Sequence, residues 1–379
     1  MAKLLIQGGS GQRGYSTGGD VLVNLTADGV DLNQIWAEIR DALALYNSER
    51  STITRLLSYP TTLAADAAPQ TSSTNESFDR ATEFGIPTAI REPADYLKLG
   101  FTFHDYDKAT RYSWRFLREA TADQVSAQIT RILEADNRLV TGTIFNRLLS
   151  PTEAANEWGH RVFGLWNGTD GFAPPPYLGR TFNSSVTHYL TTQSATLDSA
   201  DVEDAVRLLK IKGYGLQPGQ QLLILANQDD AEHMTAWRAG VEYATGKTPK
   251  FDFIPSAAMP AYLSNETVHG AIPPTDYNGL RVWGSYADAW LTLSNYIPAG
   301  YVIVACTGGL DSDINPVGFR QHVNPAYHGL RHIPGHWQNY PLIESFFARG
   351  FGVGVRNRGA AVVVQVTENS HYTAPTIAT

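Results

Sequence analysis

One stretch limits the possible folds of this chain more than any other: Thr121 to Ser150, TADQVSAQITRILEADNRLVTGTIFNRLLS. Thr121 with Gln124 three residues on is a capping-box start, in which each side chain bonds the other's free backbone N–H. Val125, Ile129, Ile132, Leu133, Leu139, Val140, Ile144 and Leu148 then recur at three- and four-residue spacing, the mark of one apolar helix face. Pro151 closes the pattern, because proline disfavours helical geometry in the residue before it. At 1.5 Å per residue such a helix spans about 40 Å, well beyond the usual three or four turns. Its apolar positions form a stripe, so the helix lies along something and is not engulfed by it. The expectation is a strut. Glu134 and Asp136, beside Arg131 and Arg138, read as its solvated polar face.

A strut implies masses on either side. The 379 residues exceed the size at which single cores stop growing, so two packed regions are expected. A hydrophobic content of 43% with 11% aromatics suffices for real cores. The net charge of −8 argues against a protein that grips nucleic acid over its surface, which needs clustered Lys and Arg. Enclosing nucleic acid without gripping it remains compatible. The lone cysteine, Cys306, excludes a disulfide framework and suits a reducing compartment. The chain opens with no signal-like segment, and no window reaches 18 uninterrupted apolar residues, so neither a secreted nor a membrane-spanning product is expected.

Gly9, Gly11 and Gly14 fit the dinucleotide fingerprint G-x-G-x-x-G. That motif works only where a helix follows at once and aims its N-terminus at the pyrophosphate. Turn-rich YSTGG and β-branched VLVNL follow instead, so a flexible N-terminal arm is the better reading. From Asp31 the pattern DLNQIWAEIRDALALYNSERSTITRLL predicts a helix with Ile35, Trp36, Ile39, Leu43 and Leu45 mostly on one face. Nothing adjacent in sequence covers that face, so it is expected to dock on another region or another subunit. Residues 58–96 are rich in Ser, Thr, Ala, Pro and Asp and form an extended loop, of the length that in compact domains is usually functional. Leu97, Leu99, Phe101 and Phe103 then alternate, as do Tyr112, Trp114 and Phe116. A long loop returning through period-2 strands predicts a projecting two-stranded arm.

Beyond Pro151, a stretch dense in Gly, Pro and aromatics leads to a second region. There Asp198–Leu209 reads as a helix capped by Asp198, and Asp229–Tyr243 as a second helix. Strands are expected at 222–226, 280–283, 301–305, 352–356 and 361–366. Strands alternating with helices predict a mixed sheet in an α/β or α+β region over 185–379.

Three constellations carry candidate chemistry. VIVACTGGLDSD, ending in Gly308, Gly309, Leu310, Asp311 and Ser312, resembles the SGGxDS phosphate loop of ATP pyrophosphatases. Thr307 replaces the first serine, however, Asp313 adds a carboxylate, and Asn315-Pro316 obstructs a following helix. A tight Gly-Gly turn is the simpler reading. His322, His328, His332 and His336 crowd one stretch, but Pro325, Gly329, Pro334 and Gly335 interrupt it, and no CxxC or HExxH supports a metal site. No G-x-S-x-G appears. We therefore expect no catalytic residues, no cofactor and no bound metal.

The whole order of segments resembles one family: an N-terminal helix, a long polar arm, the strands of DKATRYSWRFLREAT, the long helix with LEADNRLVTGTIFNRL, and a mixed α/β region. It closes on NPVGFRQHVNPAYHGLRHIPGHWQNYPLIESFFARGFGVGVRNRGAAVVVQV. This is similar to the major capsid proteins of tailed bacteriophages, particularly those infecting actinobacteria, which share the Hong Kong 97 (HK97-like) fold. The resemblance covers nearly the whole chain, most specifically residues 101–150 and 315–366.

The resemblance implies an α+β capsid fold. In it residues 1–52 are an N-terminal arm and 53–118 an extended loop lying over a neighbouring subunit. Residues 119–184 are a peripheral domain with spine helix 121–150 and a returning strand near 342–357. Residues 185–341 are an axial domain completed by a strand near 358–368, and 369–379 are a tail. It implies assembly with itself into the hexamers and pentamers of an icosahedral shell around double-stranded DNA, which is enclosed without sequence-specific binding. Scaffolding, portal and decoration proteins are candidate further partners, with no membrane. It also implies a place in the virion, after assembly in the host bacterial cytoplasm. Some members cross-link through a lysine in the extended loop; no lysine occurs here between Arg55 and Leu97, which disfavours that chemistry. Phe78, Arg80, Phe84, Arg91 and Trp36 are the candidate inter-subunit contacts, since aromatics and arginines dominate interface energetics. The alternatives are an encapsulin-type protein nanocompartment of the same fold and an ATP-pyrophosphatase-like enzyme using Gly308–Ser312.

Overall fold

The computed structural model describes residues 26–48, 51–69, 80–81, 96–175, 182–260, 270–334 and 342–379. The Gly9–Gly14 motif lies outside them. Along the chain run α1 (Leu32–Ser48), α2 (Thr52–Leu57), β1 (Ser58–Thr61), β2 (Ala65–Pro69), β3 (Tyr96–Gly100) and β4 (His104–Ser113). The short α3 (Trp114–Glu119) and the long α4 (Ala122–Leu149) follow, then β5 (Ala154–Ala155), β6 (Arg161–Val162) and β7 (Tyr189–Thr191). Next come α5 (Ser199–Ile211), β8 (Gln221–Ala226), α6 (Gln228–Met234), β9 (Phe253–Pro255), β10 (Asp276–Tyr277) and β11 (Leu280–Arg281). The chain finishes with β12 (Gly284–Tyr286), β13 (Ala289–Leu293), β14 (Tyr301–Thr307), β15 (Val317–Arg320), β16 (Arg331–Pro334), β17 (Leu342–Val355) and β18 (Ala361–Gln365).

Two sheets organise these elements. A mixed seven-stranded sheet has the order β7-β18-β14-β8-β13-β12-β9, parallel at β18–β7 and β13–β8 and antiparallel elsewhere. Its central strands read as continuous apolar runs because both faces are covered. Leu225, Ile303, Ala305, Ala361 and Val363 face α4 and α2, whereas Ile224, Val302, Val304, Val362 and Val364 face α5 and α6. The second sheet, of five strands, is built on the fourteen-residue β17. Residues 342–351 of β17 pair antiparallel with β4, 345–348 with β16, and 352–355 with β15, which pairs parallel with β1. The C-terminal half of α4 lies in one core with both sheets through Val140, Ile144, Phe145, Leu148 and Leu149.

The strut is thus observed as a 28-residue helix. Gln124 Oε1 accepts the Thr121 N–H at 3.1 Å, the half of the capping box carried by Gln124. Asp28, far away in sequence, accepts the Ala122 N–H at 3.2 Å, placing a carboxylate at the positive end of the helix dipole. The Thr26 hydroxyl and the Ala122 N–H hold that carboxyl below its usual range.

Four expectations need correction. The helix from Asp31 is not continuous to Leu57: Ser51, at ψ 125°, is out of helical geometry and precedes a separate α2. Leu45 is not on the inner face but exposed. Trp114 and Phe116 do not continue a strand: the Ser113 side chain accepts the Phe116 N–H at 3.1 Å and starts α3. The helix expected to run to Tyr243 stops at Met234, where the chain turns so that Trp237 buries its ring 4.7 Å from Tyr286.

His188, just before β7, is buried: its Nδ1 meets Ala361 O at 2.8 Å and its ring lies edge-on to Phe182 at 4.8 Å. Burial pushes its pKa down from 6.5 to about 4. The unfolded chain therefore takes up the proton first. This contribution to stability is complete above pH 6.5 and is lost as the pH falls from there through 4, by up to about 3 kcal/mol. Unfolding measured across that window is expected to lose this component of its slope in His188→Gln. An unchanged slope would refute the assignment.

Candidate functional site

For a chain whose expected function is assembly, the sites are the joints that fix its shape and the surfaces it offers. The main joint crosses the middle of α4. Asp136, expected on a solvated face, is buried there, with its Oδ1 2.7 Å from Arg349 Nε on β17. Both side chains are 4% exposed. The nitrogen sits off the hydrogen-bond axis, so charge more than directionality holds the pair. Tyr46 of α1 donates to Asp136 Oδ2 at 2.9 Å. Burial pushes the Asp136 carboxyl up, while Arg349 and Tyr46 pull it back. One carboxylate thus ties α1, α4 and β17 together.

Trp36 belongs to the same seam. It is buried among α1, β4 and β16, with its ring 6.2 Å from Tyr112 and 5.2 Å from His332. Ile35, Ile39 and Leu43 join it against Val125, Ile129 and Ile132, so the apolar face of α1 docks on its own chain's long helix. Burying such side chains contributes about 1.5–3 kcal/mol each.

A second joint caps the C-terminal end of α4, whose last carbonyls have no partners within the helix. Tyr189 of β7 donates to Ser150 O at 2.9 Å, and Tyr372 donates to Leu149 O at 2.6 Å. Arg147 adds bonds to Ser150 O and Thr152 O.

The Gly308–Ser312 loop is the third joint. Asn315 Nδ2 donates to Arg55 O, Ser58 O and Gly309 O, each at 3.0 Å, and its Oδ1 accepts from Thr307 Oγ1 and Gly308 N at 3.1 Å. Arg55 pairs with Asp311 at 2.6 Å. These groups tie α2 to the end of β14, so the glycine turn serves the fold. Asn315→Ala leaves several buried carbonyls without donors and is expected to cost about 2–3 kcal/mol in denaturant unfolding. A cost near zero would mean that water replaces the amide.

The histidines do not converge. His328 Nε2 bonds His322 O at 2.6 Å, His332 packs 5.0 Å from Phe347, and His336 lies outside the described residues. Among the described residues no group of three or more His, Cys, Asp and Glu is arranged for a metal, and no helix is long and apolar enough to cross a membrane.

The offered surfaces begin with the antiparallel β2–β3 ribbon, register Ala65↔Gly100 to Pro69↔Tyr96, which stands where the sequence predicts the base of an arm. Arg356 pairs with Asp66, and Asn156 donates to Ala64 O at 2.8 Å, fixing that ribbon to the body. Arg80 is exposed; Phe78, Phe84 and Arg91 lie outside the described residues. Sequence reading missed Trp158, 69% exposed at the tip of the β5–β6 hairpin, and Val323, 76% exposed beyond β15. Asn156 and Gly159 mark a turn around Trp158, but nothing in the local pattern marks either side chain as outward-facing.

No protein-family profile and no curated protein matches this chain. Among solved structures, one of Mycobacterium phage Patience is 37% identical over 96% of each chain, with a TM-score of 0.71. The capsid of an empty GTA particle is 13% identical over 84% of this chain and 91% of that one, with a TM-score of 0.46. The SrpI encapsulin of Synechococcus elongatus is 12% identical over 86% and 90%, with a TM-score of 0.45.

Proposed function

The chain belongs to the major capsid proteins of tailed bacteriophages, with the HK97-like α+β fold, and from that premise we propose how its parts serve a shell. Capsid proteins of this kind are structural, and copies of this one assemble with each other into a shell located in the virion. The observation that carries the reading is the 37% identity to the phage structure over 96% of both chains.

The finer assignment is as follows. The arm rooted at β2–β3, within residues 53–118, is the extended loop that lies over a neighbouring subunit. Residues 119–184, with the returning β17, form the peripheral domain around α4. Residues 185–341, closed by β18, form the axial domain, whose loops meet around the five- and six-fold axes. Residues 1–52 are the N-terminal arm and 369–379 the tail. Hexamers and pentamers of this chain enclose double-stranded DNA without reading its sequence, in the host cytoplasm, with scaffolding, portal and decoration proteins as partners. The chain carries no catalytic residues in this scheme. The net charge of −8 supports a wall that does not stick to packed DNA. A strut clamped to both sheets supports a subunit that keeps its shape while arms adapt, as closed rings of head-to-tail contacts require.

The test is electron microscopy with light scattering on the protein expressed alone and with scaffold supplied. Shells or capsomer rings are expected, with nucleic acid and not protein cargo in particles from infected cells. A 41.5 kDa monomer that persists with scaffold present would remove the reading. Protein cargo in place of nucleic acid would favour the nanocompartment.

A further inference from the structure

Beyond β18 the chain does not trail away. It returns across the joint between α4 and the seven-stranded sheet. The Tyr372 ring lies 4.9 Å from Tyr189 and 6.2 Å from Tyr301, and its hydroxyl caps Leu149 O. Tyr301 of β14 donates to Thr373 O at 2.8 Å, and Gln365 of β18 accepts the Thr373 N–H at 2.8 Å. Tyr372 and Ile377 pack on the core that α4 shares with both sheets. Gly142, nearly two turns past the middle of α4, makes the last crossing possible. A Cβ there would stand 2.8 Å from Ala378 O and 3.2 Å from Thr379 Cγ2, too close for a backbone oxygen to tolerate. The strap therefore touches α4 at two points, at Gly142 and at Leu149, and touches three strands of the sheet: β7, β14 and β18.

Two contacts on one rigid rod fix an angle, where one would fix only a distance. We propose that residues 372–379 form a strap that sets the angle between α4 and the seven-stranded sheet, and thereby the curvature with which copies assemble, with Gly142 as the positioning residue that admits it. The proposal rests on the shell-forming reading. In a shell, each subunit presents its contacts at the angle its own two masses hold, so a small change at this joint recurs in every copy. The strap is half-exposed and joined through one aromatic cluster and three hydrogen bonds, which leaves it separable from the folding of either sheet.

The test compares the full-length chain with Gly142→Val, Tyr372→Phe and a chain ending at Glu368, assembled under one set of conditions and measured by cryo-electron microscopy. Shifted or mixed shell diameters are expected from Gly142→Val and from the shortened chain, with a smaller shift in Tyr372→Phe, while unfolding stays cooperative. Hydrogen exchange on the unassembled proteins is expected to quicken about tenfold over residues 139–150 without change over 122–132. Shells of a single wild-type diameter from the shortened chain overturn the proposal. Should Gly142→Val fail to fold, the shortened chain, which adds no atoms, decides. If the wild type forms no shells with scaffold supplied, the capsid reading is what has failed. Exchange then still decides the strap: unchanged rates at 139–150 overturn it as a clamp, and faster rates keep it.

Discussion

Replacing Arg349 by alanine is expected to destabilise the protein by about 3–5 kcal/mol, because it strands the Asp136 carboxylate in a site where both partners are 4% exposed. The cost comes from the unpaired charge more than from any net gain the ion pair made. Two charges drawn out of water recover little beyond their desolvation, yet one left alone recovers nothing. The double replacement Asp136→Leu with Arg349→Met separates these terms. It removes both charges at similar volume and is expected to restore most of the loss, with Tyr46 keeping Leu133 O as an acceptor at 3.3 Å. Denaturant unfolding with an unchanged m-value is the measurement. A loss below about 1 kcal/mol in Arg349→Ala would mean that water reaches Asp136, and the joint at the middle of α4 would then be softer than the geometry indicates.

The second large effect is expected at Gly352, where alanine should cost about 3–5 kcal/mol, above the ordinary range for overpacking. Gly350, Gly352 and Gly354 occupy alternate positions of β17, so they share one face of the strand. The link between β3 and β4 lies flat on that face. A Cβ on Gly352 would fall inside the carbonyl of Thr102, and one on Gly354 would stand 2.8 Å from the Phe101 ring. The same crossing is pinned by Thr102 Oγ1, which donates to Val353 O and accepts the Val353 N–H, each at 3.0 Å. Backbone cannot step aside as a side-chain end can, so alanine must lift the link off the sheet. Near-wild-type stability in Gly352→Ala would show that the link has room to move. Gly359, which has no positive φ and whose Cβ position meets only ordinary contacts at 3.5 Å and beyond, is the matched control for loss of chain freedom alone.

What could be read beforehand follows from where each signal resides. The 28-residue helix announced itself because one local period persists through it, and β8, β14 and β18 because apolar runs of strand length have few other uses. Asp198 likewise marked the start of α5 and receives the Ala200 and Asp201 N–H groups. The misses are residues whose meaning depends on something distant. Asp136 looked solvated because its partner Arg349 is more than two hundred residues away. The alternating glycines of β17 have no sense without the 100–103 segment that covers them. Trp114 kept the strand period, and only the hydroxyl of Ser113 turned the chain into α3. Among the assembly candidates, Trp36 is spent within its own chain, while Trp158 and Val323 are left facing outward. An interface with another copy imposes no period on either, so local pattern could not have singled them out.

The pairing of strands also dictates an order of events during synthesis. β1 joins β15, β4 joins β17, and β18 enters the seven-stranded sheet between β7 and β14. Neither main sheet is complete until β17 and β18 have left the ribosome. Until then β4 waits with an open edge, and so does the side of β14 that β18 will pair with. Contacts this remote make folding slow, and exposed edges make the waiting chain prone to join its neighbours prematurely. A protein that associates with itself must therefore be kept from doing so until β17 and β18 arrive, and holding nascent chains apart becomes as much a condition of shell formation as the contacts between finished subunits.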